Sequence, residues 1–287
     1  MNKVCFCYSG EGARGSIQAG ITKSLISQGI KPDLTIGVSS GSICAASYSY
    51  IGSEGLIDLW DSIDSIFDVF GINYNFLWKN GFLNSKPLER RVREIVNNFP
   101  ICESIVSKLN IESGEVKYSS NKQSSIEEFI NSVIASICIT TLVEDKDSWV
   151  DAGSRVLAPI DQAVSLGYKN IYIITGRPMH LQYWRKPSGF LALFKQGFRA
   201  LDISLYEIML RDINNWINDI EKIKKNDVNI TLLQPKQLLF ESIEFSKCKT
   251  GTQYGLTNYD SFNTSEMRCL FNRYDSFSML KNEVKYS

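Results

Sequence analysis

The chain has a single histidine among 287 residues, and no two of its seven cysteines stand in a CxxC pair. Zinc sites and disulfide frameworks need clusters of such residues at short spacing, so we expect neither. An excess of charge of one sign is also missing, because Lys+Arg and Asp+Glu both count 31. Binding to nucleic-acid phosphates needs a basic excess, so we expect no nucleic-acid partner.

Long apolar runs are absent as well. The longest one, VIASICITTLV at residues 133–143, is far shorter than the ~20 residues that span a bilayer. The first residues carry one lysine and no long apolar stretch, so no signal peptide is expected. Several cysteines lie in apolar contexts such as VCFCY and SICAAS, which is typical of reduced, buried thiols. These features predict a cytoplasmic protein.

The sequence does contain a regular alternation of short apolar strands and helices. Two strands are predicted at Lys3–Tyr8 and Pro32–Val38, and each is followed by a glycine-containing turn and a helix, at Ser16–Gln28 and Ile43–Gly52. This βαβα order predicts a parallel sheet with right-handed crossovers. The fold class is therefore α/β.

Further elements extend this pattern along a single domain, residues 1–287. Residues 55–125 are aromatic, acidic or polar by turns, and we expect them to form an inserted helical and loop region that covers one end of the sheet. The remaining predicted elements are helices at Pro87–Ile95, Ile126–Thr140, Ile160–Leu166 and Leu201–Lys225, a strand at Asn170–Thr175, and a last strand at Val228–Gln234.

The turn SGEGARG after the first strand has Gly10, Gly12 and Gly15 in a G-x-G-x-x-G pattern. Two chemistries use such a turn: it can bind the pyrophosphate of a dinucleotide, or it can stabilise an oxyanion during acyl transfer. A dinucleotide site needs an acidic residue at the end of the second strand, whereas Asp33 lies at its beginning. A nucleotide-binding module is therefore the weaker alternative.

A candidate nucleophile lies at the end of the second strand. Residues 37–41, GVSSG, form a G-x-S-x-G pattern that permits a tight turn and exposes the Ser39 hydroxyl beside a helix N-terminus. A simple Ser/Gly-rich helix cap is the alternative interpretation of this stretch. Because neighbouring parallel strands end at one edge of a sheet, SGEGARG is predicted to face Ser39, which favours the nucleophile.

A serine nucleophile needs a base, and the sequence offers two candidates. A triad in the order Ser39, Asp151, His180 would match the α/β-hydrolases in chain order, but only two strands precede Ser39, so that fold is a poor match. We therefore assign His180 to a surface loop. Burial of Asp151 against Trp149 and Val150 would raise its pKa above the ordinary ~3.9 and make it a better base. The alternative interpretation of the sequence Asp-Ala-Gly at residues 151–153 is a purely structural Asx turn, in which the Asp151 side chain caps the backbone.

In this order the three motifs resemble those of the patatin-like phospholipase family. SGEGARG resembles the family's G-G-G-x-R/K-G oxyanion motif, GVSSG its G-x-S-x-G elbow, and VDAGS its D-G-A/G motif. The segments GFLNSKPLERRVREI and VDAGSRVLAPIDQAVSLGYKNIYIIT are similar to further parts of the family. The resemblance is weakest at about residues 60–78, 100–125 and 180–200. It implies a three-layer α/β sandwich with a mostly parallel central sheet.

The resemblance also implies a function, that of a lipid acyl hydrolase of the phospholipase A or esterase type with phospholipids or other fatty acyl esters as substrates. Ser39 would be the nucleophile and Asp151 the base of a Ser–Asp dyad, and no metal or other cofactor is implied. The oxyanion hole would consist of Gly10, Glu11, Gly12 and Arg14, with Arg14 as the anchor of the loop. The glycines of the elbow and the other motifs would be Gly15, Gly37, Gly41 and Gly153. Two apolar segments, residues 66–78 and 182–198, could admit such a lipid. The second mixes Trp, Phe and Leu with Arg and Lys, which suits transient insertion at an anionic membrane surface, and a core-packed helix with solvated lysines is its alternative interpretation.

Two residues depart from the family motifs. Glu11 stands where the family has a glycine, and its carboxylate would oppose a developing anion unless it points away or pairs with Arg14. Ala152 stands at the first glycine of the Asp motif and would be strained if that position required a positive φ. Both departures motivate a second interpretation, a patatin-like protein of weak or no catalytic activity that binds lipid or a partner.

Overall fold

The computed structural model describes residues 3–75, 81–97, 99–140, 142–180, 188 and 192–270. Its strands are numbered in chain order: β1 (Val4–Tyr8), β2 (Leu34–Gly37), β3 (Gly71–Ile72), β4 (Leu83–Asn84), β5 (Glu103–Asn110), β6 (Val116–Ser120), β7 (Trp149–Val150), β8 (Asn170–Ile174), β9 (Asn229–Pro235) and β10 (Tyr259–Asn263). The helices are α1 (Gly15–Ser27), α2 (Ser40–Asp61), α3 (Lys86–Val96), α4 (Ile126–Ser136), α5 (Ile160–Ser165), α6 (Ala192–Ile217), α7 (Ile220–Asn226) and α8 (Cys248–Gly255).

One large sheet organises the molecule, with strand order β10-β9-β8-β1-β2-β5-β6. The five central strands, β9, β8, β1, β2 and β5, run parallel. Strands β10 and β6 pair antiparallel at the two edges, and β7 pairs antiparallel with the end of β5. The predicted α/β class with a mostly parallel central sheet is confirmed.

Helices cover both faces of this sheet, because its central strands are apolar on both sides. In β1, Phe6 and Tyr8 join a core with α1, α2, α3, α4 and α8, whereas Cys5 and Cys7 join a second core with α5 and α6. This period-two alternation is what a strand requires, since successive side chains point to opposite faces. The result is a helix–sheet–helix arrangement of three layers.

Part of the predicted insertion at residues 55–125 needs correction. Helix α2 continues to Asp61 through a kink at Gly52, and strands β5 and β6 belong to the main sheet. The connecting stretch around residues 111–115 is the hairpin between these two strands. Strand β6 is difficult to predict because it is a half-polar edge strand, VKYSS, which packs only partly against the core.

The C-terminal elements also differ from the prediction. Strand β9 is not the last strand, because the polar sequence YDSFN forms β10 at the sheet edge. The predicted helix at residues 201–225 is two helices, since Asp219 caps a new one by accepting a hydrogen bond from the Lys222 amide at 2.8 Å. Residues 182–187 and 189–191 of the second apolar segment lie outside the described residues, as do residues 76–78 of the first.

Within the described ranges, none of the helices combines the length and the apolar character that crossing a bilayer would demand.

Candidate active site

Three neighbouring strands end at one edge of the sheet, and the segments that follow them form the candidate site. The Gly turn (Ser9–Gly15) follows β1, the elbow (Gly37–Gly41) follows β2, and Gly176–Arg177 follow β8 soon after its end. The register brings them together, because Tyr8 at the end of β1 pairs with Gly37 on one side and with Ile174 on the other. The predicted juxtaposition of SGEGARG and GVSSG is therefore present.

The elbow holds Ser39 in a conformation that residues with a side chain rarely adopt. Its φ is 55° and its ψ is −131°, and its backbone N–H donates to the Ser136 hydroxyl at 3.0 Å. The turn is tight because a Cβ on Gly37 would lie 2.2 Å from the Gly41 carbonyl oxygen, and one on Gly41 would lie 2.4 Å from the Tyr8 oxygen. This geometry places the half-buried Ser39 directly before the N-terminus of α2.

The Gly turn packs against Ser39. A Cβ on Gly10 would lie 2.5 Å from the Ser39 Cβ, and Gly12 has a φ of 60° with the Ser242 carbonyl against it. Among the described residues, neither the Gly10 amide nor the Gly12 amide has a protein acceptor, and both residues line a cavity beside Ser39. These two amides are free to bind an oxygen that enters the cavity.

The Glu11 amide is engaged elsewhere, in contrast to its predicted place among the oxyanion donors. It donates to the Ser40 hydroxyl at 2.9 Å and so fixes the Gly turn to the elbow. The Ala13 amide is also occupied, because it donates to the Ser242 carbonyl at 2.8 Å. A pyrophosphate would need a run of free amides, so this pattern disfavours the nucleotide alternative.

Asp151 follows β7 and caps the short 3-10 turn Ala152–Ser154. Its carboxylate accepts a hydrogen bond from the Gly153 amide at 2.8 Å, and its own amide donates to the Cys138 carbonyl. Burial raises the pKa of Asp151 to about 6, although contacts with the Ser39 hydroxyl and the Gly153 amide lower it. Asp151 therefore shares the cavity lining with Ser39, and its surroundings raise the basicity of its carboxylate.

Ala152 is unstrained, because it lies in the right-handed turn and its φ is not positive. Gly153 remains constrained, since a Cβ there would lie 3.1 Å from the Asp151 carboxylate. The alanine at the first position of the Asp motif is thus compatible with the position of Asp151.

A cavity of about 280 Å³ opens beside Ser39 and Asp151. One side of the cavity is charged and is formed by Glu11, Arg177 and Asp202. Apart from this side, Ser39, Asp151 and the Gly turn, its walls are mostly apolar. Most of the apolar side chains come from α2 and the segment after it, from the loop after α4, from α6, and from residues 243–245: Ile43, Trp60, Ile66, Val69, Phe70, Ile137, Ile139, Leu142, Phe198, Leu201, Leu205, Ile243 and Phe245. The cavity combines a reactive end with a chamber suited to a hydrocarbon chain.

The remaining predicted residues are placed as follows. Gly15 lies against the ring of Trp60, and Arg14 is fully buried away from the cavity lining. Its guanidinium donates to the Phe240 carbonyl at 2.9 Å and pairs with Asp202 at 2.9 Å, so it anchors the Gly turn. In the described part of the chain His180 is not among the residues that line the cavity, and burial lowers its pKa.

The structure adds site residues that the sequence did not indicate. Ser136 and Ser242 hold the elbow and the Gly turn through single hydrogen bonds, and nothing in their local sequence signals this. Glu11 pairs with Arg177 at 3.0 Å and not with Arg14. Arg177 could have been found, because it follows soon after β8, the strand next to β1, at the same edge of the sheet.

The chemistry open to this arrangement is proton transfer and nucleophilic attack. Ser39 with its hydroxyl, Asp151 with its basic carboxylate, and Gly10 and Gly12, whose amides have no acceptor among the described residues, all line one mostly apolar cavity. Across the described ranges, no group of three or more His, Cys, Asp or Glu side chains is arranged to hold a metal ion.

Comparison with known proteins identifies the family. The sequence profile described as "Patatin-like phospholipase" matches residues 6–164, more than half of the chain, including the Gly turn, the elbow and Asp151. No curated protein matches. Among solved structures, the chain is similar to VipD from Legionella pneumophila, with 10% sequence identity, a TM-score of 0.36, and coverage of 91% of this chain and 68% of that chain. The profile match shows that this chain belongs to the patatin-like phospholipase family.

Proposed function

We propose that the protein is a lipid acyl hydrolase that cleaves fatty acyl esters through an acyl-enzyme on Ser39, with Asp151 as the general base. The observation that carries this proposal is that Ser39 and Asp151 line one cavity, in which burial raises the pKa of the Asp151 carboxylate to about 6. A base of this pKa is ionised at neutral pH and still accepts a proton more readily than an ordinary carboxylate. The family supports hydrolase activity in general.

In the first half-reaction Asp151 takes the proton of the Ser39 hydroxyl as Oγ bonds to the ester carbonyl carbon. The electron pair of the carbonyl moves onto its oxygen, and the amides of Gly10 and Gly12 donate to the resulting oxyanion. When the intermediate collapses, the bond from carbon to the leaving oxygen breaks. That oxygen takes the proton from Asp151 and leaves as the alcohol.

In the second half-reaction water attacks the acyl-enzyme. Asp151 takes a proton from the water as its oxygen bonds to the acyl carbon, and the Gly turn again binds the oxyanion. The bond from carbon to Ser39 Oγ then breaks, Oγ regains the proton from Asp151, and the fatty acid is released. The cycle returns both residues to their initial protonation states.

The apolar chamber supports a fatty acyl ester as the substrate, either a phospholipid or a simpler ester. Among the described residues, its walls carry no charged side chain apart from Asp151 and the side formed by Glu11, Arg177 and Asp202. Burial of each methylene of an acyl chain in such a chamber contributes about 0.8 kcal/mol, so the chamber would bind the chain and leave its ester at Ser39.

Transient contact with a membrane surface is part of this proposal. In the segment after α2, Ile66, Val69 and Phe70 line the cavity. The same stretch of chain leaves Phe67, Ile72, Tyr74 and Phe82 exposed by 58%, 49%, 85% and 58%. Exposed apolar and aromatic side chains, in a segment of which other residues line the cavity, are suited to the headgroup boundary of a bilayer. We place the protein in the cytoplasm, where its seven unpaired cysteines would stay reduced.

Hydrolysis by four purified proteins tests the proposed reaction. A fluorogenic medium-chain ester and phosphatidylcholine vesicles are offered to the wild type, Ser39→Ala, Asp151→Asn and His180→Ala. We expect loss of activity in the first two variants and unchanged activity in the third. Loss in His180→Ala would refute the dyad. A wild type that binds the vesicles but hydrolyses nothing would favour the second interpretation, a binding protein.

The membrane contact has its own matched control. Phe67→Ser should weaken binding to phosphatidylcholine vesicles several-fold, measured by co-sedimentation. Phe99→Ser should leave binding unchanged. Phe99 is 97% exposed, but it precedes β5 and so lies toward the amino ends of the parallel strands, whereas the candidate site lies at their carboxyl ends. Equal effects of the two substitutions would contradict a contact through the segment after α2.

A further inference from the structure

A buried cluster of four charged residues adjoins the candidate site. This charged cluster consists of Glu11, Arg14, Arg177 and Asp202, and each is at most 5% exposed. Glu11 and Arg14 belong to the Gly turn, Arg177 follows β8, and Asp202 lies on α6. Three of the four, Glu11, Arg177 and Asp202, also line the cavity.

Glu11 is the only acidic residue of the Gly turn, and its carboxylate is held on both oxygens. One oxygen accepts hydrogen bonds from the Ser9 hydroxyl at 2.6 Å and the Gly176 amide at 3.0 Å. The other pairs with the Arg177 guanidinium at 3.0 Å. The side chain is thereby turned toward Gly176 and Arg177, and its charge has a cation beside it.

Arg177 is held in turn by Asp202. Its guanidinium donates to the Asp202 carboxylate at 2.9 Å and to the Asp202 backbone carbonyl at 3.0 Å. Arg14 donates to the same carboxylate at 2.9 Å. Burial works against the charged form of Asp202, but the guanidiniums of Arg177, Arg14 and Arg199 outweigh it and hold the pKa of Asp202 below its ordinary value.

An unpaired carboxylate in this position would act against the proposed reaction. The amides of Gly10 and Gly12 flank Glu11 along the chain, and the developing negative charge of the oxyanion would lie at these amides. In a site of low dielectric a second negative charge nearby raises the energy of that anion. A buried carboxylate that has lost its partner would also turn toward solvent or toward other donors, and would move the turn with it.

We propose that Arg177 is a positioning residue for acyl transfer: by pairing with Glu11 it neutralises the only carboxylate of the Gly turn and keeps the Gly10 and Gly12 amides directed at the oxyanion. This rests on the proposed hydrolase function. It accounts for how this chain can carry Glu11 where the family motif has a glycine. Asp202 completes the arrangement by joining Arg177 to helix α6.

The test compares Arg177→Met, the double variant Glu11→Gln with Arg177→Met, and Arg199→Met as the control. Arg199 approaches the other oxygen of Asp202 at 3.5 Å but does not line the cavity. Two quantities are measured for each: kcat and KM on the fluorogenic ester, and the rate at which a fluorophosphonate labels Ser39. Activities are normalised to the number of sites that the fluorophosphonate titrates.

We expect kcat of Arg177→Met to fall by about tenfold or more, since loss of a single oxyanion donor costs on the order of 10²–10³ in kcat. KM should change by less than about twofold, because the apolar walls that would hold the acyl chain are unaltered. The labelling rate should fall together with kcat. The double variant should recover most of both rates, because an uncharged glutamine in place of Glu11 needs no cation, and Arg199→Met should match the wild type.

Several results would overturn the proposal. An unchanged kcat per titrated site in Arg177→Met would reduce Arg177 to a structural role, and so would a double variant that stays as slow as the single one. If the fluorophosphonate labels the wild type but the wild type hydrolyses no ester, the proposed substrate class fails. The labelling rates of the wild type and the variants then decide alone whether Arg177 has a positioning role. A wild type inert to both reagents would overturn the positioning role and the hydrolase function together.

Discussion

The charge of Asp151 is predicted to destabilise the folded protein at neutral pH, so its removal should stabilise it. The pKa of Asp151 is raised to about 6, largely by burial, from about 3.9 in an unfolded chain. A shift of about two pKa units corresponds to about 3 kcal/mol. Because the folded state disfavours the ionised form, this cost is absent below the unfolded pKa and is fully present above pH 6.

Asp151→Asn should therefore raise the free energy of unfolding by about 3 kcal/mol at pH 8 and by well under 1 kcal/mol at pH 4. The asparagine keeps an oxygen that can accept from the Gly153 amide, so that contact is retained. Urea denaturation at the two pH values measures both differences.

Asp58→Asn is the control, since Asp58 is exposed on α2 and its replacement should have a small effect that is similar at both pH values. An Asp151→Asn variant that is no more stable than the wild type at pH 8 would refute the reasoning. A gain of equal size at pH 4 and pH 8 would also refute it, because it could not come from ionisation.

Three further predictions concern the same site. The value of kcat/KM should fall about tenfold per pH unit below about pH 6, because Asp151 must be ionised to act as a base. The same fall is expected in His180→Gln. A fall of kcat/KM that begins only near pH 4 would contradict this. Ser39→Gly and Ser39→Ala should both be inactive, but the glycine variant should be more stable by ~1 kcal/mol, because φ at this position is 55°; equal urea midpoints would show that the elbow is unstrained. Gly12→Ala should lower the melting temperature more than Gly29→Ala. Both positions have a positive φ, but only at Gly12 would an added Cβ clash with a backbone oxygen, that of Ser242 at 2.3 Å. Equal losses of melting temperature would exclude the clash.

The parts of the fold that the sequence predicted are those in which local pattern and tertiary position agree. The run VCFCY is apolar on both faces and lies in the centre of the sheet, so its strand and the Gly turn after it were evident. The edge strands β6 and β10 were missed because VKYSS and YDSFN are half polar, and only their pairing partners make them strands.

For the site, the sequence indicated the groups on the strand ends and missed those that hold them. Ser39 and Asp151 stand in motifs with a local geometry, and both line the same cavity. The pairing of Glu11 with Arg177 joins residues 166 positions apart, and Asp202 reaches the same cluster from the middle of α6. The contact of Asp202 depends on how α6 packs on the sheet, which no local pattern encodes.

The central claim is that Ser39 carries the acyl group during turnover, and trapping that intermediate tests it most directly. The wild type is mixed with a medium-chain ester, quenched in acid within the first turnovers, digested, and analysed by mass spectrometry. We predict that the peptide containing Ser39 gains the mass of the acyl group, and that Ser39→Ala gives neither adduct nor turnover. Turnover with the acyl group on another residue, or undiminished turnover in Ser39→Ala, would contradict the claim.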